Sequence, residues 1–221
     1  MLTNKKAVIF DLDGTLVDSL GIWGDIDIEY LGSYGLEVPN GLQHEIEGLS
    51  FTETAAYFKE HFPIKESLDE IKETWKQMAM EKYRYSVQLK AGVSKFLPYL
   101  KEKGILMAVA SSNDRTLIEA VLESHGIRGF FSNIVTACEV NRGKPAPDVY
   151  LRAAQKLGVK PEECLVFEDI VAGIMAGKNA GMRVCAVEDG YSMFQKEEKR
   201  QTADYYITTY EEVITDTYEE L

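Results

Sequence analysis

The chain has 221 residues, of which 24 are Lys or Arg and 36 are Asp or Glu, and its net charge is −12. No run rich in Lys or Arg is present, so we expect neither a nucleic acid nor an anionic membrane as a partner. No apolar stretch reaches the roughly 18 residues of a membrane span and no leader pattern precedes the first apolar segment, so we expect a cytoplasmic protein.

The first predicted element is a short buried strand, Ala7–Phe10, which is followed by an acidic turn. Asp11 falls where the strand ends, and Asp13 lies two residues further, so both side chains can point into one space. Two crowded carboxylates repel each other, and Mg²⁺ with a phosphate beside it relieves this because Mg²⁺ takes hard oxygen ligands. Taken alone, however, Asp and Gly after a strand also form ordinary surface turns.

Residues 19–84 carry helical patterns and no convincing strand. Apolar residues recur at helical spacing from Leu20 to Leu31. Further helices are predicted over Leu42–Glu47, Phe51–His61 and Ser67–Tyr83. At this length the chain can form a core domain with a smaller one, so we expect a helical-bundle cap at 19–84 inserted into a core formed by 1–18 and 85–221.

The part of the chain after residue 85 alternates between strand and helix patterns. The strands are predicted over Ile105–Ala110, Asn133–Thr136, Cys164–Phe167, Arg183–Val187 and Asp204–Ile207. The helices are predicted over Ala91–Lys103, Arg115–His125, Pro147–Leu157, Ile170–Asn179 and Tyr210–Ile214. This alternation predicts an α/β fold with a Rossmann-like parallel sheet.

A polar turn follows the Ile105–Ala110 strand. Ser111, Ser112 and Asn113 come directly before the helix that begins near Arg115. Hydroxyl groups and free N–H groups at a helix N-terminus suit phosphate oxygens, but the same residue types are common helix caps without any ligand. Asn113 and Arg115 lie close enough to this turn to be candidates for substrate contact.

A lysine in a stiff turn is the next candidate. Lys144 stands between Gly143 and Pro145, and a second proline, Pro147, opens the following helix. The prolines restrict the backbone and so aim the ammonium group, although an isolated lysine is most often a solvated surface residue.

Two more carboxylates follow the Cys164–Phe167 strand, at Glu168 and Asp169. They repeat the arrangement at Asp11. Adjacent carboxylates at the end of a core strand are costly without a cation, so metal ligation is favoured over a solvated loop.

The string Asp11–Ser19, Asp-Leu-Asp-Gly-Thr-Leu-Val-Asp-Ser, resembles the signature of the haloacid dehalogenase (HAD) superfamily. The later motifs at Ser111, Lys144 and Glu168–Asp169 come in the order and approximate spacing of that family, so the resemblance covers essentially the whole chain. Within the family the chain is most similar to the branch of β-phosphoglucomutase and small phosphosugar phosphatases. The HAD fold, an α/β core with a helical cap, is the fold that this resemblance implies.

The resemblance also implies a role for each motif residue. Asp11 attacks phosphorus and forms an aspartyl-phosphate. Asp13 protonates the leaving oxygen, later takes a proton from water, and offers its backbone carbonyl to Mg²⁺. The implied phosphate-binding residues are Ser111, Ser112 and Lys144, and the implied Mg²⁺ ligands are Asp11, Asp13, Glu168 and Asp169. The presence of Asp13 argues against a dehalogenase, because a halide leaving group needs no proton.

The cap separates two possible activities. In β-phosphoglucomutases the stretch resembling Glu47–Phe51 carries basic residues, and the position of Trp23 is a histidine. Here Glu47 and the aromatic side chains of Trp23 and Phe51 offer a second phosphate no counter-charge. Trp23 and Phe51 are also candidates for substrate contact. Aromatic residues at helical spacing are also ordinary core residues.

We therefore expect Mg²⁺-dependent hydrolysis of a small phosphate monoester, a sugar phosphate in the first instance. A β-phosphoglucomutase-type hexose phosphomutase is the alternative, and a non-catalytic binding protein on the same fold is a more remote one. The expected partner is a small phosphorylated metabolite, and the expected assembly is a monomer or weak dimer. Fold alone does not fix the substrate.

Overall fold

The computed structural model describes residues 1–221 and contains ten α-helices and nine strands. The helices are α1 Leu20–Gly32, α2 Leu42–Ile46, α3 Phe51–His61, α4 Leu68–Tyr85, α5 Val93–Glu102, α6 Arg115–Ser124, α7 Asp148–Leu157, α8 Val171–Asn179, α9 Lys196–Thr202 and α10 Glu211–Thr215. The strands are β1 Ala7–Phe10, β2 Val17–Asp18, β3 Gln88–Leu89, β4 Leu106–Ser111, β5 Asn133–Thr136, β6 Cys164–Glu168, β7 Arg183–Val187, β8 Tyr205–Ile207 and β9 Glu219–Glu220.

Seven strands form one sheet in the order β5-β4-β1-β6-β7-β8-β9. All neighbouring pairs are parallel except β8 and β9, which are antiparallel. The first strand of the chain therefore lies inside the sheet, between β4 and β6. The sequence-based prediction of an α/β fold with a mainly parallel sheet is confirmed.

The two faces of the sheet bury different residues because side chains alternate along a strand. Val8 and Phe10 of β1 belong to a core shared with α5, α6 and α10, whereas Ala7 and Ile9 belong to a second core shared with α7 and α8. All four residues are fully buried. Near-continuous apolar strands of this kind are typical of a sheet that is covered on both faces.

Helices α1–α4 lie between β2 and β3, and these two strands pair with each other in a short antiparallel ribbon. Ser50 and Ser67 begin α3 and α4 with capping boxes, each completed by a glutamate three residues later. Helix α4 also packs against α6, which fixes the bundle over the sheet. None of the helices is both long enough and apolar enough to cross a lipid bilayer.

Candidate active site

Three neighbouring strands end in polar side chains at the same edge of the sheet. Phe10 of β1 lies level with Val109 of β4 and with Phe167 of β6. Asp11 continues the ladder, and its N–H donates to the Phe167 carbonyl at 3.0 Å. Because the strands are parallel and in register, Asp11, Ser111 and Glu168 come together, as expected for a site at the carboxyl ends of strands.

Lys144 reaches into this edge from the loop before α7. Its Nζ donates to Oδ1 of Asp11 at 2.6 Å and also to Oε1 of Glu168. The ammonium also lies 5.4 Å from the centre of the Tyr150 ring, and Lys144 is 4% exposed. Lys144, implied by the family resemblance as a phosphate-binding residue, is therefore a buried residue in direct contact with the Asp11 carboxylate.

The two carboxylates after β6 have different partners. Oε1 of Glu168 accepts from Lys144 and from the Tyr150 hydroxyl, and Oε2 accepts from the N–H groups of Asp169 and Ile170. The Asp169 carboxylate accepts one hydrogen bond, from Oγ1 of Thr15 to Oδ1 at 2.8 Å, and its buried Oδ2 has no partner. An orphaned buried carboxylate oxygen is unusual and indicates an additional ligand.

The charges of this cluster fit a divalent cation. One oxygen each from Asp11, Glu168 and Asp169 lie within 4.8 Å of one another. Burial raises the pKa of both Asp11 and Asp169, and the neighbouring negative charges add to the effect, most directly that of Glu168. Burial lowers the pKa of Lys144, but the charges of Asp11 and Glu168 raise it by more than burial lowers it. The ammonium therefore stays protonated. Three carboxylates and one ammonium sum to −2, and oxygen ligands of this kind suit Mg²⁺.

Asp13 accepts hydrogen bonds from side chains that are far apart in the chain. Its Oδ1 accepts from the hydroxyls of Ser19, at 2.5 Å, and Tyr83, and its Oδ2 accepts from Nδ2 of Asn113 at 2.9 Å. The Tyr83 hydroxyl in turn accepts from Nε1 of Trp23 at 2.7 Å. Burial, with the charge of Asp13, raises the pKa of Tyr83 well above its usual value, so its phenol stays neutral. The predicted acid–base residue thus touches the helices of residues 19–84.

A cavity of about 300 Å³ lies between this strand edge and helices α1–α3. It is lined by most of the predicted site residues: Asp11, Asp13, Trp23, Phe51, Ser111, Ser112, Asn113, Lys144 and Asp169. Glu168 lies beneath it and is fully buried. Arg115 is not part of the lining, because its guanidinium donates to the carbonyl of Ile134 and to Glu139.

Sequence comparison places the chain in a family. A family profile described as haloacid dehalogenase-like hydrolase matches residues 8–187. The chain belongs to this family. The match begins in β1 and ends in β7, so it includes Asp11, Lys144 and Asp169, and the family predicted from these motifs is confirmed.

Relatives of this HAD-like hydrolase include phosphatases. The chain is 37% identical over 187 residues to the bifunctional riboflavin kinase/FMN phosphatase of Arabidopsis thaliana, an alignment of 83% of this chain and 48% of that protein. It therefore spans about half the length of that relative. It is 32% identical over 198 residues to the phosphorylated carbohydrates phosphatase of Thermotoga maritima, covering 86% and 90% of the two chains. The prediction of a HAD-type phosphohydrolase is confirmed.

Among solved structures, CbbY from Rhodobacter sphaeroides, in complex with phosphate, superposes with a TM-score of 0.84. The alignment covers 95% of this chain and 96% of CbbY at 24% identity. At that identity the likeness establishes a shared fold.

Several residues of this HAD-like hydrolase that line or approach the cavity were not predicted from the sequence. Tyr83, which contacts Asp13, lies 70 residues away from it in the chain, and no local pattern announces the contact. Asp27 and Gln43 line the cavity, and Nε2 of Gln43 donates to Oδ2 of Asp27 at 2.5 Å. Asp27 could have been noticed, because it stands four residues after Trp23 on the apolar face of α1.

The buried position of Asp27 predicts that the folding stability of this hydrolase depends on pH. Burial, partly offset by the Gln43 hydrogen bond, raises the pKa of Asp27 to about 7. The folded state then binds the proton more tightly than the unfolded state, whose carboxyl has a pKa of about 4. The stability that this contributes is complete below about pH 4 and is lost as the pH rises through about 7.

Asp27→Asn cannot ionise, so we expect it to be more stable than the wild type above about pH 7, by up to about 4 kcal/mol, and close to it near pH 4. Urea denaturation at several pH values measures the difference. Asp25→Asn is the matched control, because Asp25 lies on the same helix and is exposed. An equal effect of the two substitutions would contradict the burial argument.

Proposed function

We propose that this hydrolase is a Mg²⁺-dependent phosphatase that cleaves a small phosphate monoester, such as a sugar phosphate, through an aspartyl-phosphate on Asp11. The observation that carries the proposal is Asp11 itself, held by Lys144 at 2.6 Å beside Asp169, whose Oδ2 has no partner. A nucleophile, a fixed positive charge and an available metal ligand are the parts that phosphoryl transfer requires. The Thermotoga relative, named as a phosphatase of phosphorylated carbohydrates, supports the substrate class.

For the metal we propose direct ligation by Asp11, Asp169 and the backbone carbonyl of Asp13. Each oxygen of Glu168 already accepts two hydrogen bonds, so direct ligation by Glu168 would require it to give up some of them. In its present contacts Glu168 orients Lys144 and the Asp169 backbone. When bound, Mg²⁺ supplies positive charge to the oxygens of the transferring phosphoryl group.

In the first chemical step Asp11 attacks phosphorus and the bond from phosphorus to the ester oxygen breaks. Asp13 gives its proton to that oxygen, so the alcohol leaves neutral. Lys144 and the Ser111 hydroxyl bind phosphoryl oxygens. The main-chain N–H groups of Asp13 and Ser112 are further donors to the phosphoryl oxygens. Both residues line the cavity, and neither N–H group is a donor in the backbone hydrogen bonds of the turns and loops.

In the second step water attacks the phosphorus of the aspartyl-phosphate and Asp13 takes the water proton, which releases phosphate and restores Asp11. The neighbours of Asp13 can serve both of its protonation states. The hydroxyls of Ser19 and Tyr83 are able to donate to the carboxylate or to accept from the acid, whereas the Asn113 amide holds Oδ2 as a donor throughout.

We also propose that residues 19–84 act as the cap over a core of 1–18 and 85–221, with Trp23 and Phe51 facing the substrate. Lys144 is the single Lys or Arg in the cavity lining, and it lies at the reacting end. A hexose phosphomutase must hold a second phosphate, and the opposite wall offers Asp27 and Glu47 instead. This favours a phosphatase over the mutase. The occupied catalytic positions favour it over a binding protein.

The test is phosphate release from a panel of sugar and nucleoside monophosphates, with Mg²⁺ and after chelation. We expect release to require Mg²⁺, and Asp169→Asn to lower it by roughly 10²-fold or more, because the charge of the metal is worth several kcal/mol in such reactions. Mg²⁺ should also raise the melting temperature of the wild type and not that of Asp169→Asn.

The control for this experiment is Asp216→Asn. Asp216 is exposed, and its positive φ of 58° is one that asparagine also adopts. Release that persists at full rate after chelation, or a variant at Asp169 that keeps its Mg²⁺ dependence, would overturn the metal assignment.

A further inference from the structure

Asp27 is a buried carboxylate that the proposed chemistry does not use. It lies on α1, is 6% exposed and lines the cavity. Gln43 donates to its Oδ2, and no protein group donates to its Oδ1. One oxygen of a largely desolvated carboxylate therefore lies at the wall of the substrate cavity without a donor from the protein.

No cation compensates this charge. Asp27 takes part in no salt bridge, and the cavity has one basic side chain, Lys144, which is held by Asp11 and Glu168. A buried carboxylate without a positive partner is costly, and each unmet hydrogen bond adds to the cost. A desolvated carboxylate that lines a cleft is a candidate for ligand binding, because a ligand can supply the missing donor.

The other residues of the cavity wall restrict the charge and shape of the ligand group that faces Asp27. Glu47 is a second acid in the lining, so a distal phosphate or carboxylate would be repelled. The aromatic side chains of the cap wall are Trp23, Phe51 and Trp75, whose rings pack edge to face. Aromatic faces suit the flat or C–H face of a sugar or a heterocycle and carry no charge.

On the basis of the phosphatase function proposed above, we propose that Asp27, held by Gln43, is the specificity-determining residue of the cavity and binds a hydrogen-bond donor on an uncharged leaving group. The donor is a hydroxyl of a polyol or sugar phosphate, or an N–H of a nucleotide base or flavin. Both sources share the same chemistry, which is a neutral group that donates to a carboxylate at the end remote from the phosphate.

Binding can be measured independently of hydrolysis. The chain has two tryptophans, Trp23 and Trp75, and both line the cavity, so their fluorescence reports its occupation. The titrations use Asp11→Asn, in which the esters are not consumed, with and without Asp27→Asn, and they are run at pH 8.5, where an Asp27 carboxyl with a pKa of about 7 is ionised. In the double variant the new side-chain carbonyl keeps the Gln43 bond, and its NH₂ group faces the ligand, so an acceptor is replaced by a donor.

The probes are sorbitol 6-phosphate and glucose 6-phosphate, uridine monophosphate and FMN, phenyl phosphate without a distal donor, and glucose 1,6-bisphosphate. We expect Asp27→Asn to weaken one donor-bearing class by roughly tenfold to hundredfold, the range for a hydrogen bond to a charged group. Phenyl phosphate should change less than about twofold, and the bisphosphate should bind better, because a like charge is removed. The class that weakens identifies the source of the donor.

The control is Asp25→Asn in the same background, which should leave every affinity unchanged. Equal weakening of phenyl phosphate and the donor-bearing esters, or no weakening of either donor class, would overturn the role of Asp27. If the pattern appears but wild-type protein releases no phosphate from the bound esters, the proposed phosphatase is wrong and the inference about Asp27 stands. If no ester changes the fluorescence although the wild type releases phosphate from one of them, the inference about Asp27 fails and the proposed phosphatase stands.

Discussion

Asp11→Asn is expected to abolish phosphate release while leaving the protein folded. The substitution keeps the size of the side chain, and the amide oxygen can still accept the hydrogen bond from Lys144 that Asp11 accepts at 2.6 Å. A neutral amide, however, cannot displace the alcohol and form the acyl phosphate. We expect kcat to fall by roughly 10⁴-fold or more, as when other catalytic nucleophiles are removed.

Stability should move in the opposite direction from activity. Burial raises the pKa of Asp11, so its ionised form is disfavoured in the folded protein, and removing one of three crowded carboxylates reduces their repulsion. We expect the melting temperature of Asp11→Asn without metal to equal or exceed that of the wild type. Thermal denaturation and phosphate release, measured on the same samples, test the two parts together.

The control for this prediction is Asp18→Asn, because Asp18 belongs to the same motif and is exposed. It should retain full activity. A second measurement identifies the reacting atom: beryllofluoride, a phosphoryl mimic, should bind in the presence of Mg²⁺ to the wild type and to Asp18→Asn but not to Asp11→Asn. An Asp11→Asn protein that keeps more than about a tenth of wild-type turnover would show that another residue is the nucleophile.

The strand and helix pattern of this chain was largely predictable because most of its elements carry a strong local signal. The fully apolar run Ala7–Phe10 is a strand with the predicted bounds, and α3 begins and ends where its cap and polarity indicate. The elements that were missed are short or irregular. The two-residue strands β2, β3 and β9 are too short to show a period. Helix α9 is polar along its whole length, Lys196–Thr202.

The meeting of Asp11, Ser111 and Asp169 was predictable for a topological reason. Parallel strands that alternate with helices bring their carboxyl ends to one edge, so residues that end different strands converge although they are far apart in the chain. Convergence between the helices of residues 19–84 and this edge follows no such rule. Tyr83 reaches Asp13 only because α4 packs against α6 and ends beside the strand edge.

Sequence analysis also failed to predict the direction of one side chain, that of Arg115. Arg115 was predicted near the substrate because it stands close to the Ser111 turn. In the structure it opens α6, and Asp114 caps that helix through the N–H of Thr116 at 2.8 Å. The helix turns Arg115 towards the Ile134 carbonyl and Glu139, away from the cavity. A basic residue at the start of a helix can face any side, and only packing decides which.

Lys144→Met is expected to lower both activity and stability, because Lys144 is the single ammonium among three buried carboxylates. Methionine has a similar length and keeps the packing against Tyr150, but Asp11 and Glu168 lose their shared donor. Removing one partner of a buried ion pair typically costs about 3–5 kcal/mol. The phosphoryl group also loses a fixed charge, so we expect kcat/KM to fall by roughly 10³-fold.

The pH dependence separates this electrostatic cause from a packing defect. Lys144 lowers the pKa of Asp11, so without the ammonium the burial of Asp11 and the neighbouring negative charges raise that pKa further. The folded state then binds the proton more tightly than the unfolded state. That stability is present at low pH and lost as the pH rises. The stability deficit of Lys144→Met relative to the wild type should therefore be smaller near pH 5 than near pH 8, and Mg²⁺ should restore part of it.

Urea denaturation at both pH values measures this stability deficit, with Lys65→Met, at an exposed lysine, as the control. A deficit that is the same at every pH and indifferent to Mg²⁺ would mean that the lysine acts through packing, and the charge balance argued for the metal site would fall with it.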